Sequence, residues 1–218
     1  MSNFKNFDLS LYLITDENYI KDESFEFVIE EALKGGVTVV QLREKKSSTK
    51  DFLKKAFRLK SLLLKYNVPL IINDRIDIAL ACDADGIHIG QSDMPYIYAR
   101  KLLGPNKIIG LSIESFEEAQ QAEEFDLDYI AISPVFSTPT KENTKIEFGI
   151  EGIKRISSLS RHKTVAIGGI NLDNVSEIIT AGADGISVIS AILCDENIYR
   201  ASVELRELVL RARGQKLL

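Results

Sequence analysis

Short runs of β-branched and aliphatic residues recur along the chain, and each is followed by small and polar residues and then by a helical pattern. The runs are strand-sized and the helical patterns cover about 10 to 18 residues, the alternation typical of parallel βαβ units. The predicted strands are 11–15, 37–43, 70–73, 86–89, 108–111, 129–133, 165–167 and 185–189.

A helical pattern follows each predicted strand. The first has Phe25, Ile29 and Leu33 at helical spacing and ends at Gly35-Gly36, and Thr49 is the expected N-cap of the second. The patterns after the first cover 49–66, 75–82, 94–103, 115–124, 149–159, 172–181 and 197–213, with a short helix also opening at Ser190.

Eight such units in 218 residues leave about 27 residues for each, near the lower end for a (β/α)₈ TIM barrel. A doubly wound open sheet is the alternative, but the number of units favours closure and no GxGxxG follows the first strand. No linker or low-complexity tract divides the chain. The prediction is therefore an α/β protein with one TIM-barrel domain over 1–218, in which residues 1–10 form an N-terminal extension.

Composition narrows the function classes. The net charge of −5 gives no clustered basic field for nucleic acid, and no apolar run reaches the length of a membrane span. The start of the chain lacks the continuous apolar stretch of a signal peptide. Cys82 and Cys194 are too few for a disulfide framework, so both are expected to be buried in a cytoplasmic protein.

In a TIM barrel, catalytic groups come from the carboxyl ends of the strands. The second predicted strand ends in Gln41, Arg43 and Lys45, which period-two alternation places on one face. If that face points inward, two cations lie in the barrel mouth, where a phosphate or diphosphate would compensate their charge. The alternative is an exposed strand end with its cations paired to Glu44 and other neighbours.

The third and fourth strands end in carboxylates. Asp74 and Asp93 occupy adjacent strand ends, and Mg²⁺ typically takes one or two carboxylates together with water and phosphate oxygens. Each could instead be a helix N-cap. His88 has no second metal ligand at suitable spacing and is expected to be packed or hydrogen-bonded, whereas His162 is expected to be solvated.

The remaining strand ends complete two predicted anion sites. Ser112 follows the fifth strand, Lys141 lies in the loop after the sixth, and Gly168-Gly169 follow the seventh. Phosphate sites at the loops after strands seven and eight recur in TIM barrels. The first anion site comprises Arg43, Lys45, Lys141 and the metal, and the second comprises Gly169 and Ser190.

Over residues 11–192, the chain resembles the thiamine phosphate synthase family. The segments that carry the resemblance are LYLITD, VVQLREK, LIINDR, DGIHIGQSDMP, GLSIES, DYIAISPVFSTPTK, VAIGGI and GADGISVISAI. Each is weak alone, but their order and spacing are specific. The resemblance implies a transferase that joins an aminopyrimidine diphosphate to thiazole phosphate, with Mg²⁺ as cofactor and phosphorylated small molecules as partners.

The resemblance also implies a role for each matching residue. Metal binding falls to Asp74 and Asp93, and the catalytic residues are Arg43, Lys45, Ser112 and Lys141. The pyrimidine diphosphate site comprises Gln41, Leu42, Arg43, Glu44, Lys45, Asn73, Ser112 and Lys141. The thiazole phosphate site comprises Thr138, Pro139, Thr140, Gly169, Ile189 and Ser190.

Some positions depart from the commonest pattern of the family, namely Ser133, Ile113-Glu114 and Phe148, although none of them removes an expected ligand. Two alternative functions stand beside the transferase. A thiazole tautomerase-like isomerase would not need the full set of diphosphate-binding residues, and a non-catalytic phosphate-binding barrel would bind without turnover. The sequence leaves the oligomeric state open.

Overall fold

The computed structural model describes residues 7–20, 24–137 and 147–215, and these form a closed barrel of eight parallel strands. The strands pair in sequence order, with the last beside the first. They are β1 (Leu11–Ile14), β2 (Val39–Leu42), β3 (Leu70–Asn73), β4 (Gly86–Ile89), β5 (Ile108–Ile113), β6 (Tyr129–Ile132), β7 (Lys163–Ile167) and β8 (Gly185–Val188). The predicted (β/α)₈ fold is confirmed.

Helices alternate with the strands on the outside of the barrel. They are α1 (Phe25–Lys34), α2 (Thr49–Tyr66), α3 (Ile76–Ala81), α4 (Tyr96–Leu103), α5 (Phe116–Ala122), α6 (Gly149–Leu159), α7 (Val175–Thr180), α8 (Ser190–Leu193) and α9 (Ile198–Ala212). Among the described residues no helix is both long and apolar enough to span a bilayer.

Three local expectations were wrong. Ser48, not Thr49, caps α2, because its hydroxyl accepts the Asp51 amide hydrogen at 3.2 Å. Cys194 is exposed at the C-cap of the short helix α8. The His162 side chain is buried, with its ring nitrogens 3.1 Å and 3.0 Å from the carbonyl oxygens of Leu127 and Ala122.

The core has two layers, because successive side chains of each strand point to opposite faces. The inner layer fills the barrel and includes Tyr12, Val39, Ile71 and Tyr129, while a larger layer packs between strands and helices. Phe7 of the expected N-terminal extension packs into the inner layer. This packing closes one end of the barrel and leaves room for a site at the other.

Gly110 makes space for the Tyr129 side chain of the inner layer. A Cβ atom at this position would overlap the Tyr129 ring, so a residue without a side chain is needed beside it. The ring is fully buried and lies edge-on to Tyr12 at a centroid distance of 5.8 Å. Tyr129 therefore reaches the centre of the barrel, beneath its open end.

Candidate active site

A cavity of about 410 Å³ lies at the carboxyl ends of the strands. Polar side chains from several strands converge on it, as the fold predicts for the catalytic end of the barrel. The sequence-predicted residues that line it are Gln41, Arg43, Lys45, Asn73, Asp74, Asp93, Ser112, Gly169, Ile189 and Ser190. The structure thus brings both predicted anion sites to one cavity.

Arg43 is held by a carboxylate from the neighbouring strand end. Its Nη1 lies 2.9 Å from Oδ2 of Asp16, which is 3% exposed, and its backbone N–H donates to the Thr15 hydroxyl. The other oxygen of Asp16 accepts hydrogen bonds from Asn18. A partly buried guanidinium with one side anchored in this way keeps its remaining donors for a ligand.

Lys45, Asp74 and Asp93 form the next part of the wall. Lys45 Nζ lies 2.5 Å from Asp74 Oδ2, and Asp93 also lies in the wall of the cavity. Burial raises the pKa of Asp93, and the neighbouring Asp74 carboxylate raises it further. Two oxygen-donor side chains that repel one another form a pair that a divalent cation would stabilise.

The N-cap alternative for these two aspartates was wrong. Arg75 occupies the N-cap position of α3 and Pro95 that of α4, and neither helix has a side-chain cap bond. Asp74 has a positive φ of 60°, and Asp93 accepts the Gly90 amide hydrogen at 2.7 Å. That bond holds the Asp93 carboxylate over the loop after β4, beside the cavity.

A buried chain of hydrogen bonds forms the floor of the cavity. The Gln41 amide donates to the Tyr12 hydroxyl at 2.7 Å, and the Tyr12 and Tyr129 hydroxyls lie 2.8 Å apart. His88 continues the chain, with Nδ1 3.0 Å from Tyr129 Oη and Nε2 2.8 Å from Ser112 Oγ. His88 is therefore hydrogen-bonded as expected, and five side chains link β2 to β5 across the barrel.

Burial gives this chain its chemical character. Removal from water raises the pKa of Tyr12 and raises that of Tyr129 well above its usual range. Both hydroxyls therefore stay protonated and serve as neutral donors and acceptors. The chain holds Gln41 and Ser112 at the cavity surface.

Leu42 and Glu44 do not line the cavity, so their place in the substrate site stays a prediction from the resemblance. Leu42 alternates to the outer layer and is fully buried there. The Glu44 carboxylate lies 2.8 Å from Lys55 Nζ and also accepts from the Ser47 hydroxyl. Period two explains both placements, because residues 42 and 44 face away from residues 41, 43 and 45.

The opposite wall is formed by backbone. Gly168 and Gly169 have φ values of 100° and 65°, and a Cβ atom at Gly169 would lie 2.7 Å from the Cβ of Phe136. Only glycine fits this close approach. The Asn174 side chain donates to the Gly169 carbonyl at 2.9 Å, which fixes the loop beside Ile189 and Ser190.

Four expected site residues, Thr138, Pro139, Thr140 and Lys141, lie outside the described residues. Sequence reasoning in turn missed Asp16, the partner of Arg43, and the cavity-lining residues Gln91, Ser92 and Ser187. All four lie inside segments singled out by the resemblance. Ser187 could have been found by alternation, because it precedes Ile189 by two positions on the same face.

Comparison with known proteins gives a consistent result. The family described as thiamine monophosphate synthase matches residues 11–192. The chain is 51% identical to a thiamine-phosphate synthase of Clostridium acetobutylicum, over 89% of this chain and 92% of that protein. It is 49% identical to one of Clostridium novyi, over 89% of this chain and 96% of that protein.

Among solved structures, the fold is similar to a thiamine phosphate pyrophosphorylase from Pyrococcus furiosus. The TM-score is 0.87 at 38% sequence identity, with 96% of this chain and 99% of that chain covered.

Proposed function

Because the chain belongs to the thiamine monophosphate synthase family, we propose that it joins 4-amino-2-methyl-5-hydroxymethylpyrimidine diphosphate to thiazole phosphate. The products are thiamine phosphate and diphosphate. The observation that carries the proposal is that a single cavity has a cationic wall at Arg43 and Lys45 and a glycine wall at Gly168-Gly169. Two phosphorylated substrates can therefore enter one cavity with their anionic groups on separate walls.

The pyrimidine substrate is assigned to the cationic wall. Arg43 and Lys45 provide positive charge for its diphosphate, while Gln41, Asn73 and Ser112 provide polar contacts near the floor. The thiazole phosphate is assigned to Gly169, Ile189 and Ser190, where backbone without a side chain approaches the cavity. The residues Thr138, Pro139, Thr140 and Lys141 keep their proposed substrate roles from the resemblance alone.

Asp74 and Asp93 are the proposed Mg²⁺ ligands. Their oxygen donors suit this cation, and the Lys45 ammonium on Asp74 indicates that the pair attracts positive charge. Within the described residues no group of three His, Cys, Asp or Glu side chains could hold a metal, so substrate oxygens and water would complete the coordination. When bound, Mg²⁺ would offset negative charge on the departing diphosphate.

The reaction needs no protein nucleophile. The bond between the pyrimidine methylene carbon and the diphosphate oxygen breaks, and its electron pair leaves with the diphosphate. Arg43 and Lys45 stabilise that developing charge. The thiazole nitrogen then gives its lone pair to the methylene carbon and forms the new bond, and holding both substrates in place supplies roughly 7 to 11 kcal/mol of the barrier.

The test is turnover by the purified protein. With both substrates and Mg²⁺, thiamine phosphate and diphosphate should appear in equal amounts, and omission of either substrate should abolish both. Binding of the substrates without product would refute the transferase and favour a non-catalytic barrel. Conversion of a thiazole substrate without the pyrimidine partner would favour an isomerase.

The metal assignment has its own test. Asp93→Asn should retain the fold but lose the dependence of turnover on Mg²⁺ concentration. Asp83→Asn is the matched control, because Asp83 lies in the loop before β4 at the opposite end of the barrel and pairs with Lys60 and Lys107. An identical Mg²⁺ titration for Asp93→Asn and the control would remove Asp93 from the metal site.

The proposal also covers the domain organisation of the chain and its location in the cell. We propose that residues 1–218 act as a single TIM-barrel domain. We also propose a cytoplasmic site of action, which rests on the two free cysteines and the absence of a disulfide between them.

A further inference from the structure

One buried hydroxyl in the cavity has no partner among the described residues. Ser187 is 3% exposed and lines the cavity, and its Oγ makes no hydrogen bond with any described residue. In the described part of the chain, the only other buried side-chain polar atom in this condition is Nη1 of Arg206, on α9. Leaving a buried polar group unsatisfied is costly, and such groups normally have a partner.

Its position makes a ligand the natural partner. Ser187 lies on β8, in register with Tyr12 on one side and Ile167 on the other. It precedes Ile189 and Ser190, so it lies deeper in the barrel than the residues assigned to the thiazole phosphate. The side chain therefore faces the floor, where rings would lie, and not the mouth, where phosphates would lie.

The neighbouring polar groups of the floor are already engaged with one another. Gln41 and Tyr12 bond to each other, and His88 bonds to both Tyr129 and Ser112. Ile14, Ile167 and Ile189 supply the apolar part of the lining. A ligand ring seated among these isoleucines would meet Ser187 as an additional polar contact.

We propose that the Ser187 hydroxyl binds the polar edge of the aminopyrimidine ring and contributes to recognition of that substrate. The proposal rests on the proposed function. An aminopyrimidine offers an amino donor and ring-nitrogen acceptors, both of which suit a hydroxyl that can donate and accept. The thiazole ring has one nitrogen, whose lone pair forms the new bond, and a sulfur that accepts hydrogen bonds weakly.

Ser187→Ala tests this assignment. The KM for the pyrimidine diphosphate should rise about three- to tenfold, as expected for the loss of one hydrogen bond to a neutral group. The KM for thiazole phosphate should be unchanged. The thermal midpoint of the ligand-free variant should equal or exceed that of the wild type, because a hydroxyl without a partner is removed.

Ser202→Ala is the matched control, because Ser202 is also buried but donates to the Ile198 carbonyl at 2.8 Å within α9. It should leave both KM values unchanged. An unchanged KM for the pyrimidine substrate in Ser187→Ala, or a rise confined to thiazole phosphate, would overturn the proposal. A wild-type protein without turnover would instead refute the proposed function, so the two failures are distinguishable.

Discussion

Tyr129→Phe tests whether the buried chain of hydrogen bonds stabilises the barrel and its site. The Tyr129 hydroxyl is the central member of the chain, at 2.8 Å from Tyr12 Oη and 3.0 Å from His88 Nδ1. The substitution removes one oxygen atom and keeps the ring that packs against Gly110 and Phe7. It therefore removes hydrogen bonds with little change in packing.

The expected magnitude follows from the partners that remain. Tyr12 keeps its bond from Gln41, but His88 Nδ1 loses the Tyr129 contact inside the barrel. A typical hydrogen bond contributes about 0.5 to 1.5 kcal/mol, and a buried group left unsatisfied costs about 1 to 3 kcal/mol. The free energy of unfolding should fall by roughly 2 to 4 kcal/mol. In a domain of this size each kcal/mol lowers the thermal midpoint by about 2 to 4 °C.

The assay is urea unfolding followed by circular dichroism, with thermal unfolding as a second measure. Tyr66→Phe is the control, because Tyr66 donates one hydrogen bond to Glu30 on the outer surface, at 2.9 Å. That control should unfold close to the wild type.

Turnover gives a second readout for Tyr129→Phe. His88 also contacts the Ser112 hydroxyl, so loss of its support should lower kcat/KM as well as stability. A thermal midpoint equal to that of the wild type, together with unchanged kcat/KM, would refute the view that these hydrogen bonds stabilise the floor of the cavity. A loss of stability with unchanged kcat/KM would limit its role to folding.

Three further substitutions have defined outcomes. Asp16→Asn should lower kcat/KM by about ten- to a hundredfold in steady-state assays, because Arg43 loses the carboxylate that orients it; unchanged kinetics would contradict this. Burial acts to raise the pKa of Asp8, but hydrogen bonds from Ser10 and the charge of Arg206 lower that pKa overall. The ionised Asp8 side chain therefore stabilises the protein above its unfolded pKa, and this stabilisation is lost as pH falls through its folded pKa. Asp8→Asn should therefore weaken acid sensitivity in thermal scans below about pH 4, and an unchanged pH profile would argue against it. Ser48→Ala should cost about 1 kcal/mol of unfolding free energy in urea titrations, since it removes the cap of α2, and no loss would mean that the cap is replaced.

The local pattern of hydrophobic and polar residues was sufficient to predict the barrel and much of its site. Alternation along β2 predicted that Gln41, Arg43 and Lys45 share a face, and the cavity lining agrees. The same alternation places the Leu42 side chain on the opposite face, where it packs in the outer layer. Residues that follow the strands can be assigned to the site from the sequence, because the carboxyl ends of all eight strands meet at one end of a closed barrel.

Contacts between distant residues were decided only by the tertiary structure. Tyr12 and Tyr129 are 117 positions apart and meet because β1 and β6 direct these side chains into one barrel interior. His162 lies among polar neighbours in sequence, yet the fold buries it against two carbonyl oxygens. Whether a hydroxyl such as that of Ser187 has a partner likewise depends on every strand around it. Side-chain periodicity is a local property and can therefore be predicted from the sequence. Whether a buried polar side chain finds a hydrogen-bond partner depends on packing across the whole barrel.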